Sequence, residues 1–104
     1  MEITSVELRE KINNGEKIIV DFHAKWCFPC KTMKPTFERI SNENTSSIGM
    51  YTMDVDENRE LSMELGIRSV PTIKIFNGSE VIETKVGVLN EGQIKELVTE
   101  LING

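Results

Sequence analysis

A chain of 104 residues, 38% apolar and 28% charged, is long enough for one domain with a core of its own, expected over residues 1–104, and too short for two. Its net charge of −5, with the acids spread along the chain, argues against a basic face for nucleic acid. No apolar run approaches the length that spans a bilayer, so no membrane association is expected.

The first segment, "TSVELREKINNG", opens with Thr4 and has Glu7 three residues on. This is the signature of a capping box, and the glycine stop follows at Gly15. Leu8 and Ile12 share the inner face of the predicted helix. "KIIVDF" (17–22) is a nearly continuous apolar run, as expected of a strand covered on both faces. Cys30, Met33, Phe37 and Ile40 then recur at helical spacing, with Pro35 inside the pattern and expected to kink it.

"IGMYTMDV" (48–55) reads as a strand, and 58–65 as a short helix closed by Gly66. "TIKIF" and "EVIETKV" flank Asn77-Gly78, a hairpin signal. Asn90 with Gln93 caps a last helix, whose apolar stripe is Ile94, Leu97, Val98, Leu101 and Ile102. Met50, Met53 and Met63 read as core filler. The order helix, strand, helix, strand, helix, hairpin, helix predicts a three-layer α/β fold. Its central sheet is mixed and has helices on both faces: parallel strands from the consecutive crossovers, plus an antiparallel hairpin.

The chemistry concentrates in "DFHAKWCFPCKTMKP" (21–35), which holds the only two cysteines, Cys27 and Cys30. As a structural staple, a bridge over so short a loop would contribute only about 2 kcal/mol. As half of a zinc site, the pair lacks partners: tetrahedral zinc takes four ligands, and a single histidine, His23, with Asp21 beside it on a strand leaves the set poorly spaced. No metal is therefore expected. A reactive dithiol accounts for the surroundings. Cys27 falls where a strand gives way to a helix, and the free N–H groups and dipole of that terminus favour a thiolate. A dipole contribution of up to ~2 kcal/mol lowers a thiol pKa by roughly 1–1.5 units. Cys30, one turn in and on the buried stripe, should keep the higher pKa.

This segment closely resembles the active-site segment of the thioredoxin family. The likeness continues through "VDEN", "LGIRSVPTIKIFNG" and "KVG", covering essentially the whole chain. Asp21, Trp26, Cys27, Pro29, Cys30, Lys31, Pro35, Pro71, Thr72 and Gly87 make up the shared set. The resemblance implies the thioredoxin fold and a dithiol–disulfide oxidoreductase that reduces protein disulfides. Cys27 would be the nucleophile and Cys30 the resolving thiol, with no cofactor beyond that redox-active pair.

The resemblance further implies that Asp21, an acid in the middle of an apolar strand, is buried beneath Cys30 and accepts its proton through water. It implies a cis bond between Val70 and Pro71 facing the cysteines, where a substrate chain adds as a strand. Pro29 would hold the turn, and Gly87 would support the site structurally; Trp26 would either cover the site or be a plain core aromatic. Expected partners are disulfide-bearing proteins and a thioredoxin reductase. The chain is expected to be cytoplasmic, because the N-terminal stretch lacks the pattern of a signal peptide, and to act as a monomer.

Three residues depart from the family pattern. Phe28 stands where glycine is usual; it restricts the turn and sets an apolar ring at the mouth of the site, altering redox poise and partner choice. His23 stands where bacterial members often carry an aromatic residue. It either tunes the rate between about pH 5 and 8 or is an exposed histidine without a role. Thr52 replaces a lysine that in many members neighbours the buried acid. The residues also fit two other readings. One is a glutaredoxin- or isomerase-like oxidoreductase; the other is a non-catalytic binding subunit that uses the cis-proline surface.

Overall fold

The computed structural model describes residues 1–104. Thr4 begins the first helix, α1 (Ser5–Asn13), through the predicted capping box: its hydroxyl accepts the Glu7 N–H, and the Glu7 carboxylate accepts the Thr4 N–H. Gly15, just past the helix, has φ +73°, a left-handed value that glycine adopts without a Cβ clash. The chain continues as β1 (Lys17–His23), α2 (Phe28–Glu43), β2 (Gly49–Asp54), α3 (Arg59–Glu64), β3 (Thr72–Asn77), β4 (Glu80–Val86) and α4 (Glu91–Asn103).

The strands form one sheet in the order β2-β1-β3-β4. β1 is buried along its length because it is central and covered on both faces. Its residues alternate between two cores. Ile18, Val20 and Phe22 pack with Leu8 of α1 and Leu61 of α3. Ile19 packs with Met33 and Phe37 of α2 and with Ile94 and Leu97 of α4. Helices therefore cover both faces of a mixed sheet, as the element order predicts.

Several expectations need correction. β1 and β2 are parallel, but β3 runs antiparallel to β1, so the second crossover does not produce a parallel strand. The six residues of α3 rise only about 9 Å, less than half of what is needed to return along a strand. The chain enters β3 at the end where it left β2, with Thr72 beside Phe22. The hairpin turn lies one residue later than its sequence signal. Asn77 still pairs with Glu80, Gly78 and Ser79 make the turn, and a register shift follows at Ile75/Phe76. Met63 and Ile102 are exposed rather than core. Helix α2 extends through Pro35, as the helical spacing on either side of it predicts.

The N-terminal residues add an edge beside β2. Glu2 bridges Thr52 in parallel, the Thr52 N–H donates to the Met1 carbonyl, and the Ile3 N–H donates to the Thr52 carbonyl. Ile3 is buried against the α1 and α3 core, which anchors this edge.

Candidate active site

Cys27 is the N-cap of α2, and the backbone N–H of Cys30 donates to its Sγ at 3.3 Å. This N–H is one of the donors that a helix start leaves without an intrahelical partner. It points at a sulfur, so it favours the thiolate there. Cys27 and Cys30 are joined as a disulfide, with Cα atoms 5.3 Å apart. Both are buried and pack with Ala24, against Val55 and Val70.

The Val70–Pro71 bond is cis, as the resemblance implies. The Val70 carbonyl oxygen lies 3.6 Å from Cys27 Sγ. Gly87, at φ +100°, donates its N–H to the Pro71 carbonyl at 2.9 Å. It thereby ties the end of β4 to the proline loop. Pro29 is in the first turn of α2, where a missing N–H is harmless.

Two aromatic side chains stand open beside the sulfurs. Trp26 is 72% exposed, and its indole N–H donates to Asp56 at 2.8 Å, so it belongs to the surface and not to the core. With Val55, Ile67 and Val70 it lines a shallow groove of about 100 Å³. Phe28 is 77% exposed and packs into no core cluster.

On the other side of Cys30 lies a cleft of about 400 Å³, whose lining includes Cys30, Lys34, His23 and Glu2. Asp21 sits on the sheet face that turns toward α2, between Ile19 and His23 on alternate positions of β1. It is 0% exposed, and neither carboxylate oxygen has a hydrogen-bond partner. Burial pushes its pKa up to about 7, against the pull of His23 and Lys34. Asp21 is thus a buried acid on the strand face turned toward α2.

His23 is buried, not exposed. Its Nε2 lies 2.8 Å from Glu2 Oε1. The Glu2 carboxylate also accepts the Thr52 hydroxyl and, at 2.7 Å, the Asp54 N–H. Burial works against the charge on Glu2, but these hydrogen bonds and the attraction of His23 together hold its carboxyl below the usual range. Reading the sequence missed Glu2. Its only local signal is Glu2 outward and Ile3 inward ahead of a capped helix, and that does not say which strand the segment joins. No cluster of three or more metal-ligating side chains is present. No helix is long and apolar enough to cross a membrane.

The thioredoxin family model matches residues 1–100. A thioredoxin of Buchnera aphidicola is 38% identical over 104 residues, 99% of this chain and 96% of its own. A thioredoxin of Malassezia sympodialis is 40% identical over 82% of this chain and 83% of its own. Among solved structures, chloroplastic thioredoxin z superposes with a TM-score of 0.85 at 32% identity, over 99% of this chain and 94% of that one. A mutant thioredoxin from Halobacterium salinarum gives a TM-score of 0.82 at 30% identity, over 96% of this chain and 87% of that one.

The chain belongs to the thioredoxin family. It is a thiol–disulfide oxidoreductase whose redox-active centre is the Cys27–Cys30 pair, and it acts on protein disulfides.

Proposed function

We propose that this chain is a general reductant of protein disulfides, working as a cytoplasmic monomer and recharged by a thioredoxin reductase. The observation that carries this reading is the placement of Cys27: N-cap of α2, its Sγ receiving the Cys30 N–H, beside the Val70 carbonyl and the cis-proline loop. In the dithiol form, the Cys27 thiolate attacks one sulfur of a target disulfide. The target's S–S bond breaks, one target sulfur leaves and takes up a proton, and a mixed disulfide forms. Cys30 then gives its proton to Asp21 through water and attacks Cys27 Sγ. The mixed disulfide breaks, the second target sulfur leaves, and the Cys27–Cys30 bond closes.

Asp21 suits this role because a carboxyl titrating near neutrality can both take and release a proton. The Val70 N–H makes no hydrogen bond within the chain, which leaves it free for an added substrate strand. Trp26 and Phe28 supply the exposed apolar surface that such a strand would cover. The electrons of the reaction come from the two sulfurs.

Reduction of insulin by the chain decides between readings. Turnover with NADPH and a thioredoxin reductase, absent with glutathione and glutathione reductase, supports this proposal. The reverse pattern supports the glutaredoxin-like reading. Full biological function of a Cys27→Ser/Cys30→Ser double variant would replace both with a binding subunit.

A further inference from the structure

Asp21 has no protein hydrogen bond and no exposed surface, so a proton taken from Cys30 needs a way out. We propose that His23 and Glu2 are positioning residues that form this outlet, carrying the Asp21 proton to solvent through the cleft beside Cys30. The proposal rests on Asp21 being the acceptor for Cys30.

Three observations support it. His23 is two residues from Asp21 on the same face of β1, and it lines the cleft together with Cys30. The groups are also graded in exposure. Asp21 is sealed, the His23 side chain is 7% exposed, and the Glu2 side chain is 44% exposed.

The third observation is the orientation of the imidazole. An ionised carboxylate only accepts, so His23 Nε2 donates to Glu2, and the ring's proton-accepting position is Nδ1. Nδ1 makes no hydrogen bond within the chain, yet it is not among the sealed orphan atoms, which are the two Asp21 oxygens and Ser62 Oγ. It is therefore open to water in the cleft. A proton that crosses from sealed Asp21 to His23, its neighbour on the same strand face, is taken up at Nδ1 and makes an imidazolium beside the Glu2 carboxylate. Loss of that proton to bulk water restores the neutral ring.

Other charged groups also face the site. From α2, Lys34 attracts the Asp21 charge and Glu38 repels it. An ammonium has no site to accept a proton, and Glu38 does not line the cleft. Opposite Asp21 the neighbouring strands present Thr52 and Ile73, neither charged. Asp54, opposite His23, uses Oδ1 to accept the Asp56 and Glu57 N–H groups. Lys25, Lys31 and Glu57 complete the rim.

The test is stopped-flow reaction of the reduced chain with 5,5′-dithiobis(2-nitrobenzoate). The first thionitrobenzoate reports attack by Cys27; the second reports resolution by Cys30. Near pH 7 the chains whose Asp21 starts protonated must shed that proton before it can accept the one on Cys30; in His23→Gln and Glu2→Gln this part of the second phase should slow on the order of tenfold, while the first phase changes by less than about twofold. The deficit should vanish toward alkaline pH, where the thiol ionises without help. Added imidazole should restore the second phase in His23→Ala by entering the vacated cleft.

A second-phase pH profile of both glutamine variants that superimposes on that of the unmodified chain overturns the proposal. So does equal slowing of both phases at every pH, which marks a merely structural effect. Asp21→Asn separates the two readings. If it slows the second phase and the glutamine variants do not, only the outlet fails. If it leaves the second phase intact, the role of Asp21 fails and the outlet with it.

Discussion

At the scale of single residues, Asp21 is where folding and chemistry oppose each other. A carboxyl whose pKa is raised to about 7 in the folded chain binds a proton more tightly there than when unfolded. Between about pH 4 and 7 the folded state therefore holds more protons, and linkage makes stability fall as pH rises through that window. The roughly three-unit shift corresponds to at most about 4 kcal/mol, fully expressed above pH 7 and absent below about pH 4. Asp21→Asn should accordingly be more stable than the unmodified chain by about 2–4 kcal/mol at pH 8 and no more stable at pH 4, read by urea denaturation at each pH. Equal effects at both pH values would mean that the carboxyl is not held in its protonated form.

Phe28 offers a second residue-scale prediction. Its stiffer backbone favours closure of the Cys27–Cys30 ring, so Phe28→Gly should raise the reduction potential by about 10–20 mV, the equivalent of 0.5–1 kcal/mol for a two-electron couple. Its ring is exposed, and covering it with a target contributes up to about 2 kcal/mol. The same variant should therefore raise KM for apolar target segments by as much as roughly thirtyfold. Equilibration against glutathione buffers and steady-state rates on a peptide disulfide measure the two effects. Unchanged values in both would remove Phe28 from any account of specificity.

At the scale of elements, the caps were readable in the sequence and the turns less so. Thr4 with Glu7 and Asn90 with Gln93 both form reciprocal capping boxes. A cap needs only residues three apart, and local spacing specifies them. Asn90→Ala removes the acceptor of the Gln93 N–H, at 2.9 Å, and should destabilise the chain by about 1 kcal/mol in thermal or chemical unfolding while leaving the cysteine chemistry unchanged. Asn58 starts α3 without capping it. Its side-chain oxygen instead accepts the Ser5 N–H and hydroxyl, each at 2.8 Å, and so joins α1 to α3. The direction of β3 escaped sequence pattern for a similar reason. Periodicity finds a strand, but only the short reach of α3 decides the end at which that strand begins.

At the scale of the whole molecule, β1 carries both the cores and the acid. Its even positions face α1 and α3; its odd positions face α2 and α4 and include Asp21 and His23. The site is thus mounted on the most enclosed strand, and loosening the α2 side should reach the chemistry. Phe37, fully buried between α2 and the sheet, is the test. Phe37→Ala should destabilise by about 3–5 kcal/mol, and unfolding should remain one transition, because β1 is common to both cores. Two separate transitions by circular dichroism and tryptophan fluorescence would show that the faces fold independently.

The sequence alone determined the element types, the two-sided core and the placement of a CxxC pair at a helix start. Each depends on residues close together in the chain, where spacing and local hydrogen bonding suffice. The tertiary structure decided that β3 runs against β1, that Trp26 lies on the surface, and that His23 is buried against Glu2. These depend on contacts between segments distant in sequence: the N-terminal edge pairs with Thr52, and only that pairing brings the Glu2 carboxylate to the imidazole. Which distant groups meet is set by packing the whole chain, and no local pattern of residues encodes it.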